Sequence, residues 1–264
     1  MEFVYGLSFL LLFSLSAYGG LALRRHLNEG HFSKDNMDAV RLVTGLIVSF
    51  AALILSLHLS TSKAAFDAAN RNRAAYATQL ASLDECLRNF SPQMDATRLQ
   101  LRQYTAAVIV STWPDEEGPG IETGLDPQHM MLRGEDATLT KLMTHIGLAI
   151  DSFVPTDGAA QNIVARCRAE YGTVLAGRWS VIDDTYAPSG RLFTVVISFW
   201  LALVFLSFGL QVQQRALSLT VLAIGVLCVS TAMFVIIDLH FPYRGVFGIS
   251  SMPMRDALAD MLRQ

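Results

Sequence analysis

From Leu46 to Ser91 the sequence contains neither glycine nor proline. Nothing in that run interrupts a helix, so the spacing predicts one over Arg41 to Phe90. At 1.5 Å per residue the unbroken stretch spans roughly 65–70 Å, twice the thickness of a bilayer's hydrocarbon core. Its first part, Leu42 to Leu59, is apolar with no fully charged residue, and its second, Ser60 to Phe90, is charged and amphipathic. The run reads as a transmembrane helix that leaves the membrane and continues as a stalk.

Composition agrees with a membrane protein. The chain is 52% hydrophobic and 16% charged, where an ordinary soluble domain carries about 25% charged residues. The apolar excess sits in blocks. Phe3 to Leu23 is uncharged, long enough to span, and ends on Arg24, Arg25 and His26. A signal peptide wants a positive start, but the only charge before this block is Glu2, so a retained helix is expected. Leu27 to Val40 reads as a short polar connection. Leu192 to Leu210 and Ala216 to Ile237 supply a third and a fourth span, joined by a tight connection at Gln211 to Arg215. The expected fold is all-α: a polytopic membrane protein with four transmembrane helices and an extramembrane helical bundle between spans 2 and 3. Its parts are residues 1–60 (spans 1 and 2), 61–190 (the helical domain), 191–239 (spans 3 and 4) and a C-terminal tail, 240–264.

The extramembrane part has its own periodicity. Phe66, Ala69, Arg73, Tyr76, Leu80, Leu83, Leu87 and Phe90 follow alternating steps of three and four, a heptad-like seam that needs a partner. Ser91-Pro92 stops that helix, and Asp95 is a candidate cap for the next, about Ala96 to Trp113. Ala137 to Phe153 reads as another amphipathic helix. Asp157 can cap a further one, which carries a second seam: Val164, Cys167, Tyr171, Val174, Arg178 and Val181. The simplest packing puts the two seams together, with Arg73 and Arg178 snorkelling or pairing with local carboxylates. Pro114 to Gly134 is a loop rich in Gly, Pro and acids (Asp115, Glu116, Glu117, Glu122, Asp126) without EF-hand spacing, expected to be solvated.

Candidate functional residues lie on the second span. Gly45, Ser49, Ala52, Ser56, Ser60 and Lys63 fall within about 80° of arc on a helix. Small residues let membrane helices pack closely, which is one reading of the stripe. The other is a pore-lining face, with hydroxyls standing in for ion hydration, Leu53 beside them as a dewetting constriction, and Lys63 at one mouth. His58, Asp238 and His240 are ionisable residues at span exits, where an intramembrane-type functional role is weakened by the interface. Cys86 and Cys167 lie on or beside the seams and can form a disulfide in an oxidising compartment; two buried free thiols are the alternative.

Positive charge in short loops favours the cytoplasm. Arg24, Arg25, Lys34 and Arg41 flank the first connection, which places both termini and the 61–190 domain outside the cytoplasm. Lys63, Arg71 and Arg73 flank the second span on the other side and oppose that orientation.

The chain resembles the bestrophin-like membrane family of bacteria. The residues that carry the resemblance are Arg24-Arg25-His26-Leu27, then Leu101-Arg102-Gln103-Tyr104-Thr105 with Trp113-Pro114. Next comes the exit of the fourth span, Asp238-Leu239-His240-Phe241-Pro242-Tyr243-Arg244-Gly245, followed by Met252-Pro253-Met254. The family usually has Asp-x-Pro-Phe-x-Gly at that exit; here Phe precedes Pro and one extra residue precedes Gly. The resemblance implies kinship to bestrophin chloride channels, which are pentamers with four spans per subunit and keep their large domain in the cytosol. It thus implies a location in the bacterial inner membrane.

No P-loop, HExxH, GxSxG or dinucleotide fingerprint occurs, and the scattered histidines lack ligand spacing. No catalytic residues, metal site or cofactor are expected, and no basic tract suggests nucleic acid. The expected partners are the lipid bilayer, further copies of the chain in a homo-oligomer, and inorganic ions. Two readings follow: an oligomeric anion channel lined by the second span, or a non-conducting, membrane-anchored interaction or sensing protein whose helical domain docks a partner.

Overall fold

A computed structural model describes residues 2–27, 34–121, 136–186, 190–212, 215–243 and 245–263. All regular elements among them are helices: α1 Glu2–His26, α2 Lys34–Arg88, α3 Asp95–Thr112, α4 Ala137–Ser152, α5 Gly158–Tyr186, α6 Gly190–Gln211, α7 Ala216–Asp238 and α8 Met252–Leu262. Four of them, α1, α2, α6 and α7, are long and apolar enough to cross a membrane.

The helix α2 has 55 residues and is one continuous element, as the lack of Gly and Pro requires. It begins at Lys34, earlier than Arg41, because Lys34 to Val40 contains no breaker and Asp35 favours a helix's positive first turn. Asp38 and Arg41 add an exposed pair at 3.3 Å. At the other end Asp95 is not a cap. It is the first helical residue of α3, after Met94, and its carboxylate accepts from the Ser91 hydroxyl. Asp136 does cap α4, accepting from Thr138 N and Leu139 N at 2.6 and 3.1 Å. Asp157 accepts from Ala160 N in α5.

The chain divides into two compact units. The first comprises Met1–Phe66, Pro188–Phe241 and Gly245–Phe247. Its core is made of Phe9, Phe13 and Ala17 on α1, Ala51 on α2, Ile197, Leu201 and Phe205 on α6, and Val226 and Met233 on α7. The outward faces carry exposed leucines, valines and phenylalanines such as Leu11, Leu15, Leu46, Phe199, Val221 and Leu227. In water such a surface would be unstable; it is what four spans present to lipid. The helices α1 and α6 cross at backbone contact. A Cβ added at Gly20 would lie 2.1 Å from the Leu206 carbonyl oxygen, and one added at Gly209 would lie 2.1 Å from that of Ala17. Polar groups lock the same crossing. Ser16 donates to the Ala202 carbonyl, and Arg24 caps the end of α6 by donating to the carbonyls of Leu210, Gln211 and Val212.

The second unit comprises Asp67–Ala187, Pro242–Arg244 and Gly248–Gln264. Its core joins both seams: Tyr76, Leu80, Leu83, Leu87 and Phe90 from α2 meet Val164, Cys167, Val174 and Val181 from α5. Leu101, Tyr104 and Ile109 of α3 and Met143, Ile146 and Ile150 of α4 complete it. Asp84 and Arg98 form a buried bidentate pair at 2.9 and 3.2 Å between α2 and α3. The C-terminal tail carries α8, whose Met254, Ala257, Leu258 and Met261 enter this core, while Arg255 binds Glu116 and the Glu117 carbonyl. Glu116 is therefore engaged; Glu122 and Asp126 of the acidic loop lie outside the described residues.

Candidate functional site

The sequence stripe on α2 occupies one face of that helix. Gly45, Ser49, Ala52, Leu53, Ser56, Ser60 and Lys63 are all exposed on the single chain. The opposite face carries Thr44, Ala51, His58 and Ser62, all buried. Two physical devices fix this rotation. Thr44 Oγ1 bonds Ser207 on α6, and Gln211 Nε2 donates to both hydroxyls, a three-membered polar clamp inside the apolar bundle. Below it, Ala51 supplies the small surface that lets α2 enter the core. The exposed hydroxyl of Ser49 is satisfied by its own helix, donating to the Gly45 carbonyl at 2.9 Å. Near the end of the stripe, Lys63 Nζ sits 5.6 Å from the Phe66 ring centroid. The stripe is thus a shallow, small-residue face flanked by Leu53 and Leu57, which are 67% and 64% exposed.

The ionisable exit residues divide. His58 and His240 come together, with ring centroids 5.5 Å apart. His58 Nε2 faces Thr194 Oγ1 on α6 at 3.4 Å, and His240 Nδ1 lies 2.6 Å from the Ile236 carbonyl oxygen. His58 belongs to the buried face of α2, so it is not part of the stripe. Asp238 binds backbone N–H groups. Its carboxylate, 1% exposed, accepts from Val246 N at 2.8 Å and Phe247 N at 2.9 Å. A side chain at position 245 would meet that carboxylate at 2.5 Å, so Gly245 is what lets the loop wrap around it. Asp238 is a structural clasp for the turn after α7. Replacing it with Asn exchanges one acceptor for an amide that faces an N–H. Asp238→Asn is expected to cost about 2 kcal/mol, read as a fall in the unfolding midpoint in detergent; an unchanged midpoint would contradict the clasp.

Cys86 and Cys167 are joined as a disulfide with their Cα atoms 5.6 Å apart, stapling α2 to α5. Beside it opens a cavity of about 350 Å³ lined by Ser82, Glu85, Cys86, Arg88, Asn89, Arg166 and Glu170. Burial raises the proton affinity of Glu170 there, against the opposing charge of Arg166. Cys228 is a free, exposed cysteine on α7.

Sequence reasoning missed what becomes of the seam arginines. Both are buried, and among the described residues neither forms a salt bridge. Arg73 is buried, its guanidinium 4.6 Å from the Tyr243 ring and 5.2 Å from the Trp113 ring. Arg178 donates to Thr140 Oγ1 at 2.7 Å. Between them the hydroxyls of Tyr76 and Tyr104 bond at 2.6 Å, and burial pushes both above the ordinary phenol range. Among the described residues, no group of three or more His, Cys, Asp or Glu side chains comes together as a metal site.

Comparison with known proteins converges on one architecture. The bestrophin-like domain family matches residues 11–254. A crystal structure of a membrane-protein variant superposes with a TM-score of 0.66 at 14% identity, covering 98% of this chain and 99% of that one. Two variants of a bacterial bestrophin homolog from Klebsiella pneumoniae superpose with TM-scores of 0.62. One is 14% identical and covers 97% of this chain and 98% of that one. The other is 15% identical and covers 100% and 99%. At such identities the likeness is one of fold. No curated protein matches the sequence.

Proposed function

The chain belongs to the bestrophin-like family, and on that premise we propose that it is one subunit of an oligomeric anion channel in a bacterial inner membrane, with α2 lining the pore. The observation that carries this reading is the division of α2 into two faces. Its buried face is spent on α6 and the rest of the bundle. The Gly45-to-Lys63 face is exposed on its own protomer and carries a continuous row of small and hydroxyl-bearing side chains. Turned toward a symmetry axis, such a face permits close approach of neighbouring copies. Ser49, Ser56 and Ser60 then offer hydroxyl dipoles to a partly dehydrated ion, Leu53 and Leu57 form an apolar constriction that gates by dewetting, and Lys63 raises the local anion concentration at one mouth.

The test is conductance of the purified chain in planar bilayers. Chloride current is expected, and Ser56→Phe, which places a ring in the narrow stripe, is expected to cut it by about tenfold or more. Inserted protein that stays silent across salts and pH, or a Ser56→Phe current equal to wild type, would overturn the assignment. Mass in detergent separates the competing docking-protein reading: a closed homo-oligomer belongs to a channel, and a monomer that recovers a partner belongs to a docking module.

The orientation proposed with this function puts the termini and the helical domain on the periplasmic side. Its support is the Cys86–Cys167 pair, since disulfides persist in oxidising compartments.

A further inference from the structure

The cavity beside the disulfide plays no part in the channel reading. It lies between α2 and α5 in the helical unit, and the Cys86–Cys167 link ties those two helices together at its edge. Each helix brings one carboxylate and one guanidinium to it: Glu85 and Arg88 from α2, Glu170 and Arg166 from α5. On each side the two charges are close but beyond hydrogen-bond distance. Arg88 Nη2 is 3.9 Å from Glu85 Oε1, and Arg166 Nε is 3.8 Å from Glu170 Oε1. The other oxygen of Glu170, Oε2, is buried and has no hydrogen-bond partner. The amide of Asn89, also on the wall, does not serve it; its Nδ2 donates to the Glu85 and Cys86 carbonyls and closes the end of α2. Burial raises the proton affinity of Glu170, Arg166 lowers it, and Glu85 raises it, so charges from both helices act across the same space.

A buried carboxylate oxygen without a partner calls for a donor. The cavity, about 350 Å³, falls at the small end of ordinary ligand pockets, about 300–1,000 Å³. It is far larger than the ~30 Å³ share of one water. Its two positive and two negative side chains cancel, so it favours no bare ion of either sign: both guanidiniums oppose a metal cation, and both carboxylates oppose an inorganic anion. What complements it is a molecule that is neutral overall and carries both charges apart. We propose that the cavity binds a small zwitterion of the amino-acid class, its ammonium donating to Glu170 Oε2 with Glu85 in support, and its carboxylate held by Arg166 and Arg88. The site does not rest on the channel reading: a protein that fails to conduct can still fill it, and a conducting one can leave it empty.

The test is equilibrium dialysis of the full chain in detergent against radiolabelled glycine, L-serine and L-glutamine. Saturable binding of at least one of them is expected, at about one molecule per chain. Propylamine and propionate each carry one of the two charges, and both should compete at least about tenfold more weakly than the unlabelled amino acid. Glu170→Gln keeps the shape of the side chain and removes its charge, which should weaken binding by about tenfold or more. Arg166→Gln alters a side chain that is 61% exposed and should weaken binding in the same direction; it decides the matter if Glu170→Gln does not fold. Three outcomes would overturn the site: no saturable binding of any of the three amino acids, competition by propylamine or propionate as strong as by the amino acid, or unchanged affinity in either folded variant.

Discussion

Gly209→Ala, or Gly20→Ala, is expected to remove most of the folded membrane unit from detergent extracts. Each substitution places a carbon 2.1 Å from a carbonyl oxygen of the opposing helix, well inside contact distance. A flexible side chain could swing away from such a collision; backbone cannot, so α1 and α6 must separate. Separation then breaks what the crossing holds: the Ser16 bond to the Ala202 carbonyl, the Arg24 cap on α6, and the Phe13–Phe205 ring contact at 5.3 Å. Overpacking of this kind usually costs about 1–3 kcal/mol. The rigidity of both partners puts these variants at or above the upper end. The measurement is the thermal unfolding midpoint in detergent. Gly45→Ala is the matched control, because a Cβ there meets nothing within 4 Å on its own chain. Equal midpoints for Gly209→Ala and wild type would mean that α1 and α6 do not cross as closely as described.

The second large effect belongs to the disulfide. Cys86 and Cys167 are 81 residues apart in sequence, so the cross-link closes a long loop and strongly restricts the unfolded chain. The chain-entropy relation gives ~4–5 kcal/mol for a loop of that size. Replacing both cysteines with serine should therefore lower the unfolding free energy of the helical unit by about that amount. The membrane unit, which contains neither residue, should keep its stability. The same pair tests the orientation. Alkylation of intact cells, followed by reduction and a second label, should find Cys86 and Cys167 protected and Cys228 reactive once the membrane is dissolved. If both seam cysteines react without reductant, the domain faces a reducing compartment and the periplasmic placement fails.

Much of the fold was legible because it follows from periodicity. The missing Gly and Pro between Leu46 and Ser91 gave α2 as one piece, and the three-four spacing of Tyr76, Leu80, Leu83 and Leu87 matched the face that is buried. The four spans stood out by hydropathy alone. What stayed hidden depended on contacts between distant parts of the chain. Asp238 read as a possible functional charge at a span exit; that it binds the N–H groups of Val246 and Phe247 is a fact about loop geometry that no spacing encodes. Arg73 interrupted an apolar seam and suggested a snorkelling side chain, since nothing local shows that Trp113 and Tyr243 come to meet it. The helix α8 lies at the edge of what spacing reveals. Met254, Ala257, Leu258 and Met261 have helical spacing behind a Ser-Met-Pro start, but eleven residues after an irregular loop look like a tail when taken alone.

That short helix also sets an order of events during synthesis. The core built from α2, α3, α4 and α5 includes Met254, Leu258 and Met261, and the indole of Trp113 donates to the Ile249 carbonyl at 2.7 Å. All of these partners leave the ribosome after the fourth span. The helical unit is thus an interrupted domain, begun before two membrane segments and finished after them. Its first part must wait, incompletely packed, while α6 and α7 are inserted. During that interval an apolar surface that α8 will later cover is open to chaperones, to proteases and to other nascent copies of the same chain.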